Sequence, residues 1–349
     1  MAAAGLLLQG ECPRQVRVRL LTGDELDIPV HACGIDCKDT AWCSVIKDAG
    51  DDPDVTNRAE IGTRVSRVEG SREIFINAGK GVGRITKPGL ELAPGEPAIN
   101  PGPRRMIRES LEKVLQELGL QDGLRVEVFV PRGEEIARRT LNHRLGIVGG
   151  ISILGTTGVV RPMSHAAYIA TIDSALAVAR ACGLDRVVCT TGRRSERFAQ
   201  GIFPELAEEG FVQIGDYFAE SMKRSARKGH KQVILVVFFG KAVKMAQGAP
   251  HTHAAKSSLA LEELAVRVQK QCKGAGLAER VSAANTAREA FFMLQGQCPG
   301  IFEWVAGRMA EQAQAFAGSG INVRAVLLDF EGRVVVDSAV TQMSTWEMA

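Results

Sequence analysis

No run of eighteen consecutive apolar residues occurs in the 349-residue chain, so no transmembrane helix is expected. A strong charge of either sign is also missing. The 43 basic and 40 acidic residues leave +3, too weak a balance to imply nucleic acid. No CxxC pair occurs. The eight cysteines, Cys12, Cys33, Cys37, Cys43, Cys182, Cys189, Cys272 and Cys298, are scattered in the manner of reduced cytosolic thiols. His31, Cys33, Cys37 and Cys43 lie close enough to raise a metal site, but their spacing fits no familiar zinc pattern, and no protein-held metal is expected. A phosphate loop and a dinucleotide fingerprint are both absent. Gly79, Gly81 and Gly83 alternate, yet neither that spacing nor Lys80 fits either motif. Internal repeats and low-complexity segments are lacking. Met1–Gln9 is apolar but short and has no basic region before it, so it does not read as a signal peptide.

What is present suits a cytoplasmic globular protein of two domains, with 45% apolar and 24% charged residues. The first half reads as strands and Gly/Pro loops. Val16–Leu20 and Leu26–Val30 predict a hairpin, and Thr40–Lys47, Ala59–Val68, Glu73–Ala78 and Leu124–Val130 read as extended. One helix is expected from Pro103 to Leu118, a short one over Glu134–Thr140, and a buried strand over Ile147–Leu154. The character changes near Met163. From there a helix (Ser164–Cys182) precedes alternating strands (Arg186–Thr190, Phe211–Ile214, Gln232–Phe239) and helices (Ser195–Gln200, Tyr217–Lys228, Ala242–Gln247). That alternation argues for a parallel sheet with crossover helices. Helices over Lys256–Lys273 and Ile301–Ala317 and a closing hairpin, Val323–Asp329 with Arg333–Asp337, complete the chain. The expectation is an α+β domain, 1–161, followed by an α/β Rossmann-like domain, 162–349.

Four stretches stand out in order. Lys47-Asp48-Ala49-Gly50-Asp51-Asp52-Pro53-Asp54-Val55-Thr56 packs four carboxylates into seven residues, with a Gly and a Pro that exclude a core helix or central strand. Carboxylates so placed repel unless donors, a cation or a cationic ligand lie between them; otherwise the run is a solvated turn. Gly81–Leu90, Pro97–Arg104 and Leu145–Gly158 follow. Together these segments resemble the CbiD family, from roughly Gly23 to the C-terminus and tightly between Lys47 and Ser164. The resemblance implies an S-adenosylmethionine-dependent methyltransferase acting at C-1 of cobalt-precorrin-5B in anaerobic cobalamin biosynthesis. Cobalt then arrives with the corrinoid substrate, and no nucleic acid or membrane partner is implied. A homo-oligomer is compatible with the sequence.

On that reading the ends of the second-domain strands form the cofactor side, because open α/β sheets bind ligands there. Thr191, Gly192, Gly215, Asp216 and Gly240 are the candidates, Asp216 suiting ribose hydroxyls or an ammonium. Plain strand-end turns are the alternative. Arg84, Lys87, Arg104, Arg105 and Arg144 would meet the acetate and propionate groups of a corrinoid, or the arginines would pair with the acidic run to hold the loops; Lys241 and Lys244 would also meet substrate, or form a surface lysine pair. The alternating glycines at 79–83 would permit close backbone approach to a ligand. Thr252 is expected to cap the helix that follows. Asp48, Asp51, Asp52 and His253 are the candidates for proton or hydroxyl movement. The family pattern usually has residues ahead of Met1, Pro-Gly-Asn at Thr191-Gly192-Arg193, a polar residue at Phe239 and an Asp near Ser257. The chain as it stands is therefore expected to be weakly active without a leading segment. A non-catalytic tetrapyrrole-binding or chaperone protein would keep the basic loops and lose S-adenosylmethionine. Divalent-metal phosphoryl chemistry on the acidic run lacks its phosphate loop.

Overall fold

Two five-stranded sheets organise the chain, one in each of two units, Met1–Ser164 and His165–Ala349. The computed structural model describes residues 1–160, 164–253, 257–272 and 276–339.

In the first unit the chain runs through α1 (Ala2–Gln9), β1 (Gln15–Arg19), β2 (Glu25–Pro29), β3 (Ala32–Cys37), β4 (Thr40–Ile46), β5 (Glu60–Val68), β6 (Ile74–Ala78), β7 (Gly81–Val82), β8 (Arg84–Ile85), α2 (Pro101–Glu117), β9 (Gly123–Phe129), α3 (Gly133–Ala137), β10 (Ile147–Val148) and β11 (Gly150–Ile151). The predicted hairpin forms, with Val16 opposite Ile28 and Val18 opposite Leu26. The main sheet has the order β3-β4-β5-β9-β6, antiparallel except where β6 lies parallel to β9. Alternation puts Val65, Leu124 and Val126 on one face, where Leu111, Val114 and Leu115 of α2 and Ala2, Ala3, Ala4 and Leu6 of α1 cover them. Helix α2 starts two residues before the predicted Pro103, because Pro101 occupies the first helical position, where its missing N–H is not needed.

The expected single strand over Ile147–Leu154 is instead two short ones. Gly149, at φ +88°, breaks them. β10 pairs antiparallel with β8, and β11 pairs parallel with β7. This lays one glycine-rich segment across the other. Gly81 sits at φ +75°, and a Cβ there would lie 1.9 Å from the Val130 carbonyl oxygen. A Cβ on Gly133 or Gly150 would come within 2.0 Å of the Gly81 oxygen. The close approach that Gly81, Gly133 and Gly150 permit is backbone to backbone within the unit, whereas Gly79 and Gly83 lie closest to the Glu127 and Ile147 side chains.

The second unit comprises α4 (His165–Ala181), β12 (Arg186–Thr190), α5 (Arg193–Ile202), β13 (Phe211–Gln213), α6 (Phe218–Arg227), β14 (Gln232–Phe238), α7 (Phe239–Ala246), α8 (Ser257–Gln271), α9 (Leu277–Ser282), α10 (Ala287–Gln295), α11 (Gly300–Ala317), β15 (Asn322–Leu328) and β16 (Val334–Asp337). The sheet order is β13-β12-β14-β15-β16, parallel except for the last strand. Strand β14 is apolar from Val233 to Phe238, and residues 233–237 are buried on both faces of the sheet. Val233, Leu235 and Val237 join the large helical core, while Ile234 and Val236 pack with Ala199, Phe203 and Phe211. The ends predicted for α8, Lys256 and Lys273, lie outside the described residues, as does the predicted boundary at Arg161.

Helix α7 begins three residues earlier than predicted, at Phe239. Phe239 is a buried ring 5.4 Å from the centroids of both Phe291 and Phe302. Offset and edge-on aromatic pairs of this kind contribute about 0.5–1.5 kcal/mol each beyond burial. Phe239 is therefore a core residue in this chain.

Candidate functional site

The second sheet reverses its direction of growth between β12 and β14. The chain leaves β12 for β13 on one side, and from β13 it returns to β14 on the other. At such a reversal the connections diverge and leave a crevice beyond the C-terminal strand ends. Thr191-Gly192, Gly215-Asp216 and Gly240-Lys241 stand at those ends, as the sequence reading expected.

Asp216 is the hub. Its Oδ1 accepts from the Lys241 ammonium and from the Thr252 hydroxyl, the latter at 2.9 Å. Its main-chain oxygen accepts the Thr252 N–H at 3.0 Å. Lys241 also donates to the Thr252 carbonyl at 3.0 Å, and Lys244 donates to the His253 carbonyl at 2.9 Å. Three segments distant in sequence are thus tied together. Burial opposes ionisation of Asp216, but Lys241, Thr252 and the charge of His253 outweigh it and hold the carboxyl below its ordinary range. Lys244 is pushed down, first by burial and then by the neighbouring Lys241 charge. The buried Thr252 hydroxyl donates to Asp216, and the start of the segment it was expected to cap lies outside the described residues.

An aromatic wall adjoins this hub. Tyr217 Oη lies 2.7 Å from His165 Nδ1. The Tyr168 ring stacks on Tyr217 with centroids 5.0 Å apart, and His251 meets Tyr217 edge-on at 4.7 Å. Gly215 lies beneath Tyr168. At φ +55°, a Cβ on Gly215 would come within 2.7 Å of the Tyr168 oxygen. Burial, then Asp216, pushes the Tyr168 hydroxyl above its ordinary range. Glu196 of α5 is buried, and its Oε2 accepts from Gln213 at 2.6 Å at the end of β13. Gly192 precedes α5, and its carbonyl accepts the Ser195 hydroxyl at 2.9 Å.

The remaining candidates lie in the first unit. Asp48 accepts the Gly50 N–H at 2.9 Å and so shapes its own turn. Asp51 is exposed and Asp52 half-buried. The neighbouring Asp54 anchors the run. It pairs with Lys47 and accepts the Thr56 N–H at 2.8 Å, and it is a lysine, not one of the arginines, that makes this pairing. Arg84 donates to the Gly95 carbonyl at 3.1 Å. Arg104 donates to Ile99 and Pro97 carbonyls at 2.6 and 3.1 Å and pairs with Glu96 at 3.2 Å. Lys87 lies against Gly146, and Arg144 is half-buried. Of the four proposed proton movers, three fall in the first unit and His253 in the second.

Two family models match: CbiD over residues 1–162 and the CbiD C-terminal domain over 251–339. The chain belongs to the CbiD family. Curated relatives named cobalt-precorrin-5B C(1)-methyltransferase agree. One from Geobacillus kaustophilus is 41% identical, covering 95% of this chain and 89% of its own. One from Geobacter sulfurreducens is 42% identical over 95% and 93% of the two chains. One from Nitratidesulfovibrio vulgaris is 44% identical over 84% and 76%. A crystal structure of a cobalamin biosynthesis protein (CbiD) from Archaeoglobus fulgidus is 28% identical, covering 77% of this chain and 79% of that one, with a TM-score of 0.37.

Within this CbiD chain the acidic and glycine-rich loops fall in the first matched region, and Thr252 and His253 open the second. Sequence reading missed Tyr168, Tyr217, His165 and Glu196. Tyr217 was visible next to Asp216 at a strand end. The others sit inside helices, where ring and carboxylate positions carry no local signal and only the packing of α4 and α5 against the β13 end brings them in.

Proposed function

We propose that this chain is an S-adenosylmethionine-dependent C-methyltransferase acting on C-1 of cobalt-precorrin-5B. The identity of 41% across nearly the full length of relatives bearing that name carries the reading. The second sheet is read as Rossmann-like, and the 162–349 domain as the cofactor side. The donor set there fits. Both donors to Asp216 land on Oδ1, and Oδ2 takes neither, so one carboxylate oxygen remains for a ribose hydroxyl or an ammonium. The exposed ring of Tyr168, backed by Tyr217, suits an adenine or a sulfonium.

When bound, S-adenosylmethionine supplies an electrophilic methyl on sulfur. The chain's own contribution is positioning. Lys241 and Thr252 fix the Asp216 carboxylate, and the Lys244 link to the 252–253 carbonyls fixes the segment carrying His253. In the first unit, read as the corrinoid side, Arg84, Lys87, Arg104 and Arg144 would meet substrate carboxylates, and Asp48, Asp51 or Asp52 is the candidate for proton movement there, as His253 is in the second unit. Anaerobic incubation with cobalt-precorrin-5B and methyl-labelled S-adenosylmethionine should place the label at C-1. Binding of both ligands without methyl transfer would overturn this and favour a tetrapyrrole-binding protein.

A further inference from the structure

Cysteines 12, 33 and 43 come from three different parts of the sequence and meet at one point. Cys33 on β3 and Cys43 on β4 are direct cross-strand partners. Cys12, in the segment after α1, closes over them. The three sulfur atoms all lie within 4.8 Å of one another. Cys43 is buried in the core under α1 and α2, and the other two are half-buried at its edge. Cys12 and Cys33 are joined as a disulfide, with Cα atoms 6.7 Å apart. A cavity of about 240 Å³, lined by Cys12, Gln9, Glu11 and Gly5, opens beside the cluster.

From this geometry we infer that Cys12, Cys33 and Cys43, when reduced, form a three-thiolate site for a soft d10 cation such as Zn²⁺. Thiolates bind zinc at about 2.3 Å, which places the sulfurs of a tetrahedral site about 3.8 Å apart. The observed cluster reaches that spacing by rotation of Cys12 and Cys33 away from each other. Three protein ligands leave a fourth position for water or another donor, and the cavity reaches the cluster at Cys12. The sequence suggested a different set, since His31 and Cys37 are exposed and not part of the group. In binding, each thiol gives its proton to solvent and its sulfur lone pair to the cation, and no electron changes hands. The disulfide removes two of the three ligands. Metal binding therefore requires a dithiol reductant, which delivers two electrons and two protons to Cys12 and Cys33 and itself becomes a disulfide. The site is thus switched by thiol oxidation state.

The test uses the full chain, reduced with dithiothreitol, desalted without oxygen and titrated with Cd²⁺, whose thiolate charge-transfer absorption counts sulfur ligands. Zn²⁺ competing with a chromogenic chelator gives the affinity. One equivalent per chain with three thiolates is expected. Oxidised protein should not bind at this site. Cys12→Ser and Cys33→Ser should each weaken binding at least about a hundredfold, while Cys37→Ser, Cys182→Ser and the double Cys272→Ser/Cys298→Ser variant should leave it unchanged. Cys12 lies outside the helices and sheets, so Cys12→Ser serves even where Cys43→Ser fails to fold. No binding by reduced protein, or equal binding by Cys12→Ser, would overturn the site.

Discussion

Asp216 and Lys241 form an ion pair across 25 residues of sequence, joining the turn after β13 to the first turn of α7. Each side chain remains about one-third exposed, so the pair is in reach of a ligand as well as of its partner. Exposed pairs of this kind contribute little to stability. Their arrangement at a strand-order reversal therefore bears on binding more than on folding. Asp216→Asn and Lys241→Met should each lower S-adenosylmethionine affinity by calorimetry at least about tenfold, or roughly 1.4 kcal/mol, with a small change in melting temperature. Unchanged affinity in both would remove Asp216 from the site.

The same pair sets a pH dependence. Asp216 titrates below its ordinary value of 3.8 in the folded chain. A carboxyl whose folded value is depressed contributes stability above its unfolded value and loses it as pH falls through the folded one. The contribution should thus be constant from neutrality down to about pH 4 and fade below it. Thr252→Val removes one of the two donors responsible. The stability gap between this variant and the parent, followed by urea denaturation, should be steady above pH 5 and shrink below pH 4. A gap that widens on acidification would contradict the assigned cause.

Asp51 and Asp54 sit three residues apart with different duties. Asp54 holds Lys47 and the Thr56 N–H, so Asp54→Asn should cost about 1–3 kcal/mol. Asp51 is exposed, so Asp51→Asn should leave the melting temperature unchanged. If it faces substrate, turnover should fall at least about tenfold, or roughly 1.4 kcal/mol in the barrier. Turnover kept by Asp51→Asn would reduce the run to a structural turn centred on Asp54.

Most of the second unit was legible because Arg186–Thr190 and Gln232–Phe238 are short apolar runs separated by amphipathic helices, and each such strand must be covered on both faces. The hub was half legible. Asp216 and Lys241 announce themselves as polar residues at strand ends, whereas their bond to each other depends on strand order, which local pattern does not encode. Helix α10 carries a readable signal at its start. Thr286 accepts the Glu289 N–H at 3.2 Å, and Glu289 accepts the Asn285 N–H at 2.9 Å, a near capping box written in the sequence. Strand β3 had none, since Ala32-Cys33-Gly34-Ile35-Asp36-Cys37 lacks alternation and is held by its pairing with β4.

Gly81 and Gly95 separate two costs that a glycine can conceal. Both have positive φ, +75° and +93°. Around Gly95 a Cβ would meet nothing within 4 Å, so Gly95→Ala faces only the left-handed backbone cost of about 1–2 kcal/mol. At Gly81 the same Cβ would lie 1.9 Å from the Val130 carbonyl oxygen. That oxygen is not free to retreat, because it accepts the Gly133 N–H at 2.8 Å, and Val130 itself donates to the Lys80 carbonyl at 2.8 Å. Relief would require parting β7 from the end of β9, and with it the β7–β11 pairing that lays one glycine-rich segment on the other. Gly81→Ala should therefore cost more than about 4 kcal/mol and yield mostly insoluble chain, while Gly95→Ala stays folded and soluble. Chemical denaturation of both variants measures the difference. Equal stabilities would show that the segments around Gly81 and Val130 do not pack backbone against backbone.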